Sequence, residues 1–110
     1  MALKIAIDLD GTAFAWPNEL GRLAVTLQDA LADVFFLTAA AGELPPSERP
    51  AEVERRVSQR LGCAVSVKIP VVCCEEREKA QKLRDLGVHI VIDDRPIEGW
   101  NGLQLVPLKK

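Results

Sequence analysis

The sequence predicts an α/β fold: a three-layer, Rossmann-like domain around a mainly parallel five-stranded sheet, with no cap domain. Two observations predict it. Short apolar runs rich in β-branched residues alternate with amphipathic segments along the whole chain, the pattern of strand–helix–strand units with right-handed crossovers. Charged and hydroxyl residues then collect where the apolar runs stop, as they do at the carboxyl edge of a parallel sheet. At 110 residues, and with no repeat, low-complexity tract or linker, residues 1–110 read as one domain.

Leu3 to Leu9 reads as a buried strand, with Ile5 and Ile7 β-branched. Gly11 and Thr12 break it. Pro17-Asn18 then prepares a helix, with Asn18 as N-cap and Leu20, Leu23, Leu27 and Leu31 as an apolar face running to about Ala32. Val34 to Leu37 is a second strand that ends on Thr38. After a Gly- and Pro-bearing loop (residues 42–49), Pro50 suits a helix start, Val53, Val57 and Leu61 line its inner face, and Gly62 closes it. The third strand falls in the second half of Val65 to Cys74, where Pro70 indicates an edge position or a strand start. Glu75 and Glu76 open a third helix packed through Ala80, Leu83 and Leu86, and Gly87 ends it. His89 to Ile92 is the fourth strand, terminating on Asp93-Asp94. Gly102 to Leu108 is the last, with the two terminal lysines frayed into solvent.

The composition is 48% hydrophobic and 27% charged, which is that of a soluble globular chain. A net charge of −2, with 14 basic residues dispersed among 16 acidic ones, gives polynucleotide binding no support. The N-terminal apolar run is too short for a membrane span, which needs about 20 residues, and lacks a signal-peptide pattern. Cys63, Cys73 and Cys74 form no CxxC pair, and adjacent cysteines rarely bridge. They read as reduced, mostly buried thiols of a cytoplasmic protein.

The chemistry lies in the strand ends. Asp8 and Asp10 follow the first strand, Thr38 the second and Asp93-Asp94 the fourth, so these aspartates and a threonine converge on one rim. By alternation Asp8 and Asp10 face the same way and Leu9 faces the core. Packed carboxylates raise one another's pKa unless a cation compensates, and a hard divalent ion is the simple remedy. Mg²⁺ suits it, since it binds through one or two carboxylates plus substrate phosphate. Such a site leaves one aspartate free as nucleophile and another as acid or base. Gly11 permits close backbone approach to phosphate oxygens. Alone, an Asp-Gly turn or an Asp-Asp strand end would carry little weight; their order does.

These residues resemble the haloacid dehalogenase-like (HAD) superfamily of phosphohydrolases over nearly the whole chain. The DxDGT motif is matched by Asp8, Asp10, Gly11 and Thr12, the strand ending in Thr by residues 35–38, and the acidic pair by Asp93-Asp94. Lys79 fits the family's upstream lysine better than Lys82 does. The resemblance implies a phosphomonoester hydrolase in which Asp8 forms an aspartyl-phosphate and Asp10 is general acid and base. It implies that Gly11, Thr38 and Lys79 hold the phosphoryl group. It also implies that Asp8, the Asp10 carbonyl, Asp93 and Asp94 hold Mg²⁺, Asp93 more directly than Asp94. The substrate expected is a phosphorylated small molecule, a nucleotide or a sugar phosphate.

Ala39-Ala40-Ala41 stands where many relatives carry an Arg, and the connections leave no room for a cap. Capless members act on large substrates or borrow a lid from a neighbouring subunit, so a homo-oligomer is expected. A non-catalytic metal- or phosphate-binding module of the same fold is the alternative. A receiver domain would need its phosphoaccepting aspartate where Cys73-Cys74 stands. Trp16 and Trp100 read as packing residues at the sheet edge and last strand, and His89 as structural.

Overall fold

Strands form where the chain is apolar on both faces, and the two faces sort into two cores. The computed structural model describes residues 2–109, so Lys110, expected to fray, lies outside it, while Lys109 is exposed. Strands β1 (Lys4–Ile7), β2 (Asp33–Thr38), β3 (Val71–Cys73), β4 (Ile90–Ile92) and β5 (Leu103–Leu105) form one sheet in the order β3-β2-β1-β4-β5. Every neighbouring pair is parallel. Ile5, Ile7, Val34 and Phe36 face one side, against Ala24 of α1 (Pro17–Asp29), Val53 and Val57 of α2 (Arg49–Leu61) and Val65 of α3 (Cys63–Lys68). Ala6, Phe35, Leu37 and Val91 face the other, against Leu83 of α4 (Lys79–Asp85) and Trp100. The result is three layers, a Rossmann-like α/β fold. Full burial of each large side chain contributes roughly 1.5–3 kcal/mol, so β1 and β2 anchor the sheet.

The winding order positions the site. The chain runs outward from β1 to β2 to β3, then α4 carries it back across the sheet to β4, on the opposite side of β1. The direction of winding therefore reverses between β1 and β4. In open parallel sheets the crevice at such a reversal, outside the carboxyl ends, is where ligands bind.

Several details depart from the sequence reading. β1 ends at Ile7 rather than Leu9, because Leu9–Ala13 coils into a single wide helical turn. Helix α1 starts with Pro17, whose fixed φ and missing N–H suit a first turn, and Asn18 is an exposed residue inside the helix, not its N-cap. The helix stops at Asp29, and Leu31, expected on its apolar face, is exposed with a φ of +70°. The buried positions of α1 are Gly21 and Ala24, because α1 lies close to α3: a Cβ on Gly21 would sit 3.4 Å from Val65 Cγ2. The β2–β3 connection holds two helices where one was expected, and Val65 belongs to the second of them. β3 is the edge strand that Pro70 indicated. Before α4 the chain makes a short 3₁₀ turn, Glu76–Glu78, so the helix proper begins at Lys79. β5 is shorter than expected.

Of the cysteines, Cys63 is exposed and the other two are half-buried, so the expectation of mostly buried thiols fails; none is bridged. His89 is structural: its Nδ1 accepts a hydrogen bond from the Lys4 N–H at 2.9 Å, at the start of β1. Trp16 donates from Nε1 to the Leu108 carbonyl at 3.0 Å, tying the segment beyond β5 to the front of α1. No helix among the described residues is long and apolar enough to cross a membrane.

Candidate metal centre

Asp8 leaves β1 still held by the sheet, its N–H donating to the Ile92 carbonyl of β4 at 2.9 Å. The following turn closes back on it through the Ala13 N–H, 3.1 Å from the Asp8 carbonyl, and the Phe14 N–H, 2.9 Å from that of Leu9. Two residues interrupt helical geometry inside the turn: Asp10, with extended ψ, and Gly11, with φ +75°. Gly11 is required twice over. Its φ lies in the left-handed region that side chains disfavour, and a Cβ there would stand 2.5 Å from Asp94 Oδ2.

Across the reversal, β4 delivers Asp93, whose N–H donates to the Leu105 carbonyl of β5 at 3.1 Å. Beyond it the Arg95 N–H caps Asp93 Oδ1 at 3.1 Å, and Gln104 Nε2 reaches the Asp93 and Arg95 carbonyls at 3.3 and 2.7 Å. The loop carrying the acidic pair is thus fixed from both sides. Asp8, Asp93 and Asp94 each offer a carboxylate oxygen, and these oxygens lie within 4.8 Å of one another. Asp8 and Asp93 are buried, and Asp94 is half-buried.

Two side chains bind this cluster together. Lys79, only 2% exposed at the start of α4, donates from Nζ to Asp8 Oδ1 at 2.9 Å and to Asp93 Oδ2 at 2.8 Å. The Thr12 hydroxyl lies 3.2 Å from Asp8 Oδ2 and 3.0 Å from Asp94 Oδ1, and accepts the Asp94 N–H at 3.0 Å. Its single proton serves one carboxylate at a time. Among the described residues, no buried side-chain nitrogen or oxygen lacks a partner.

Burial pushes the Asp8 carboxyl up to about 6; Lys79 pulls it back down through charge and hydrogen bonding, and the Asp93 charge pushes it up again. For Lys79, burial favours the neutral amine, but the attraction of Asp8 and the hydrogen bonds to Asp93 and Asp8 outweigh it. The net effect holds its pKa above the usual lysine value. The pair is therefore a buried ammonium between carboxylates at neutral pH. Removing one member of a buried ion pair typically costs 3–5 kcal/mol, since the other charge is left uncompensated.

The remaining candidate residues are near but not joined. Asp10 is exposed, and its carboxylate is outside the cluster of Asp8, Asp93 and Asp94. The period-two rule applies within a strand, and the strand has ended at Ile7. Thr38 is buried at the end of β2, where its hydroxyl accepts the Ala40 N–H at 2.9 Å rather than meeting a carboxylate. Lys82 is half-buried, on the turn of α4 after Lys79. The sequence reading gave Thr12 no role of its own, though its place after Asp8, Asp10 and Gly11 was a usable signal. Nothing in the sequence pointed to Gln104.

The donor set is chemically coherent. Three carboxylates with oxygen-only donors at a sheet reversal suit a hard divalent cation, and a buried ammonium beside them suits an anion arriving at that cation. Compared with protein-family models, with curated proteins and with solved structures, the chain has no match.

Proposed function

We propose that the chain is an Mg²⁺-dependent phosphomonoester hydrolase of the HAD type, working through an aspartyl-phosphate on Asp8. One observation carries the reading: Asp8, Asp93 and Asp94 lie together at the sheet reversal with Lys79 between two of them. Asp8, Asp93 and Asp94, with the Asp10 carbonyl, would hold the metal. Bound there, Mg²⁺ would supply positive charge to neutralise the phosphoryl oxygens.

The chain's own residues supply the rest. An Asp8 carboxylate oxygen attacks phosphorus as the bond to the leaving oxygen breaks, and Asp10 gives that oxygen its proton. Asp10, exposed on the rim, is open to an arriving ester. Now ionised, it takes a proton from water, which attacks phosphorus, breaks the bond to Asp8 and releases inorganic phosphate. Lys79 and Thr38, with the backbone around Gly11, hold the phosphoryl oxygens throughout. The open rim suits a nucleotide or sugar phosphate, with a second copy of the chain as its lid.

A panel of phosphate monoesters with Mg²⁺, run on wild type and on Asp8→Asn, tests the reading. Turnover that requires metal and disappears in the variant is expected. Metal binding without turnover of any ester would instead favour a non-catalytic binding module, and turnover surviving Asp8→Asn would overturn the mechanism.

A further inference from the structure

Lys79 ties two of the three carboxylates of the acidic cluster together. Asp8 Oδ1 and Asp93 Oδ2 both take their hydrogen bonds from one ammonium, while the other Asp93 oxygen is held by the Arg95 N–H. Both carboxylates and the lysine are almost wholly shielded from water. Asp8 Oδ2 and Asp94 Oδ1 share the single Thr12 proton, so the side of the cluster away from Lys79 is where a cation's charge is least opposed. A divalent cation entering there meets a site already partly neutralised, and the charge it most directly opposes is that of Lys79.

We propose that Lys79 is the site's built-in counter-ion, which a divalent cation loosens from Asp93 and so frees to meet the phosphoryl group. The inference rests on the metal-binding half of the reading above and not on the identity of any substrate. Without metal, the ammonium neutralises part of a cluster of three carboxylates and keeps the ends of β1 and β4 together. With metal, the cation takes over that task for Asp8, Asp93 and Asp94. The ammonium, repelled by the new charge, keeps at most its contact with Asp8. Binding is then ordered: metal first, phosphoester second, because without metal two of the three Lys79 N–H donors are held by Asp8 and Asp93 and the excess carboxylate charge repels an arriving phosphate. Lys79 thus serves as a positioning residue before it serves as a phosphate ligand. The cost of displacing it sets the metal affinity.

The test is Mg²⁺ titration of wild type and Lys79→Met by calorimetry, together with the Lys79 side-chain ammonium resonance of wild type followed by NMR. Lys79→Met should bind Mg²⁺ roughly tenfold or more tightly than wild type, since the competing charge is gone. Metal should also raise its melting temperature more than that of wild type. A variant that folds only when Mg²⁺ is present gives the same answer. In wild type, Mg²⁺ alone, without any phosphate compound, should shift or broaden the ammonium signal. Equal or weaker binding by a folded Lys79→Met would overturn the proposal. So would an ammonium signal unmoved while calorimetry records bound Mg²⁺, a readout that stands even if the variant does not fold. Wild type that binds no Mg²⁺ would remove the counter-ion claim and the metal site together. Bound Mg²⁺ with a displaced lysine but no ester hydrolysis would leave this claim standing and count against the hydrolase alone.

Discussion

Replacing Gly11 by Ala separates two costs that the fold combines at one residue. The first is conformational: φ is +75°, and an L-residue in the left-handed region costs about 1–2 kcal/mol. The second is steric: the new Cβ would lie 2.5 Å from Asp94 Oδ2 and 2.8 Å from Asp94 Cγ, so the carboxylate must move. Moving it strains the hydrogen bond that the Asp94 carboxylate accepts from Thr12, which contributes about 0.5–1.5 kcal/mol. Gly87 supplies the control, with φ +69° and nothing within 4 Å of an added Cβ. Gly87→Ala should therefore show the conformational cost alone, about 1–2 kcal/mol, and Gly11→Ala roughly 1 kcal/mol more. In urea, with a slope of about 1–3 kcal/mol/M, that difference separates the midpoints by roughly 0.5 M. Metal affinity is the sharper readout. Gly11→Ala should bind Mg²⁺ about tenfold more weakly, as one displaced ligand would, while Gly87→Ala binds as wild type does. Equal midpoints and equal affinities for the two variants would refute the claim that Gly11 holds Asp94 in place.

The remaining predictions concern pH, packing and thiol chemistry. The Asp8 carboxyl titrates at about 6 in the fold against the ordinary 3.8, so it stabilises metal-free protein below about pH 4 and that contribution is lost as pH rises through 6. Asp8→Asn stands in for the protonated side chain, so thermal melts of the metal-free proteins from pH 4 to 8 should show wild type losing stability relative to the variant across that window, and a pH-independent difference would contradict it. Because the same proton competes with metal, Mg²⁺ affinity measured by calorimetry should fall about tenfold per pH unit below 6. Leu83→Ala, at a fully buried position on α4 facing Phe35 and Val91, should cost about 2–5 kcal/mol in denaturant titration. With a thiol-reactive probe, exposed Cys63 should label before Cys74, whose thiol burial pushes up to about 11.

Much of this was legible in the sequence because parallel sheets buried on both faces leave an unambiguous apolar signature. Residues 34–37 and 90–92 stood out as buried strands, and the aspartates that follow β1 and β4 lay in the chain order that brings Asp8, Asp93 and Asp94 to one rim. Only the resemblance to the HAD family's lysine separates Lys79 from Lys82 in the sequence, and the fold buries Lys79 where the rival stays half-buried. What could not be read was tertiary. The leucines of α1 suggested a leucine-lined face; Leu20 and Leu27 do pack against the core, but the close approach of α3 puts Gly21 and Ala24 deepest and leaves Leu23 exposed. The short α3 was hidden because Val65 and Val67 suit a strand equally well in isolation, and only packing decides. The exposure of Asp10 could not be read from alternation, because the strand ends at Ile7 and Asp10 lies in the turn that follows. Gln104 acts through backbone carbonyls of a loop that no sequence pattern announces.

The central claim is that Asp8 is the nucleophile, and the most direct measurement is to trap what it forms. Protein mixed with a turned-over phosphate ester and Mg²⁺, quenched in acid within one turnover and mapped by mass spectrometry, should carry one phosphoryl group on the peptide containing Asp8. Omitting metal, or substituting Asp8→Asn, should abolish both the adduct and the turnover. Hydrolysis that proceeds with the phosphoryl group on another residue, or that continues in Asp8→Asn, would contradict the account.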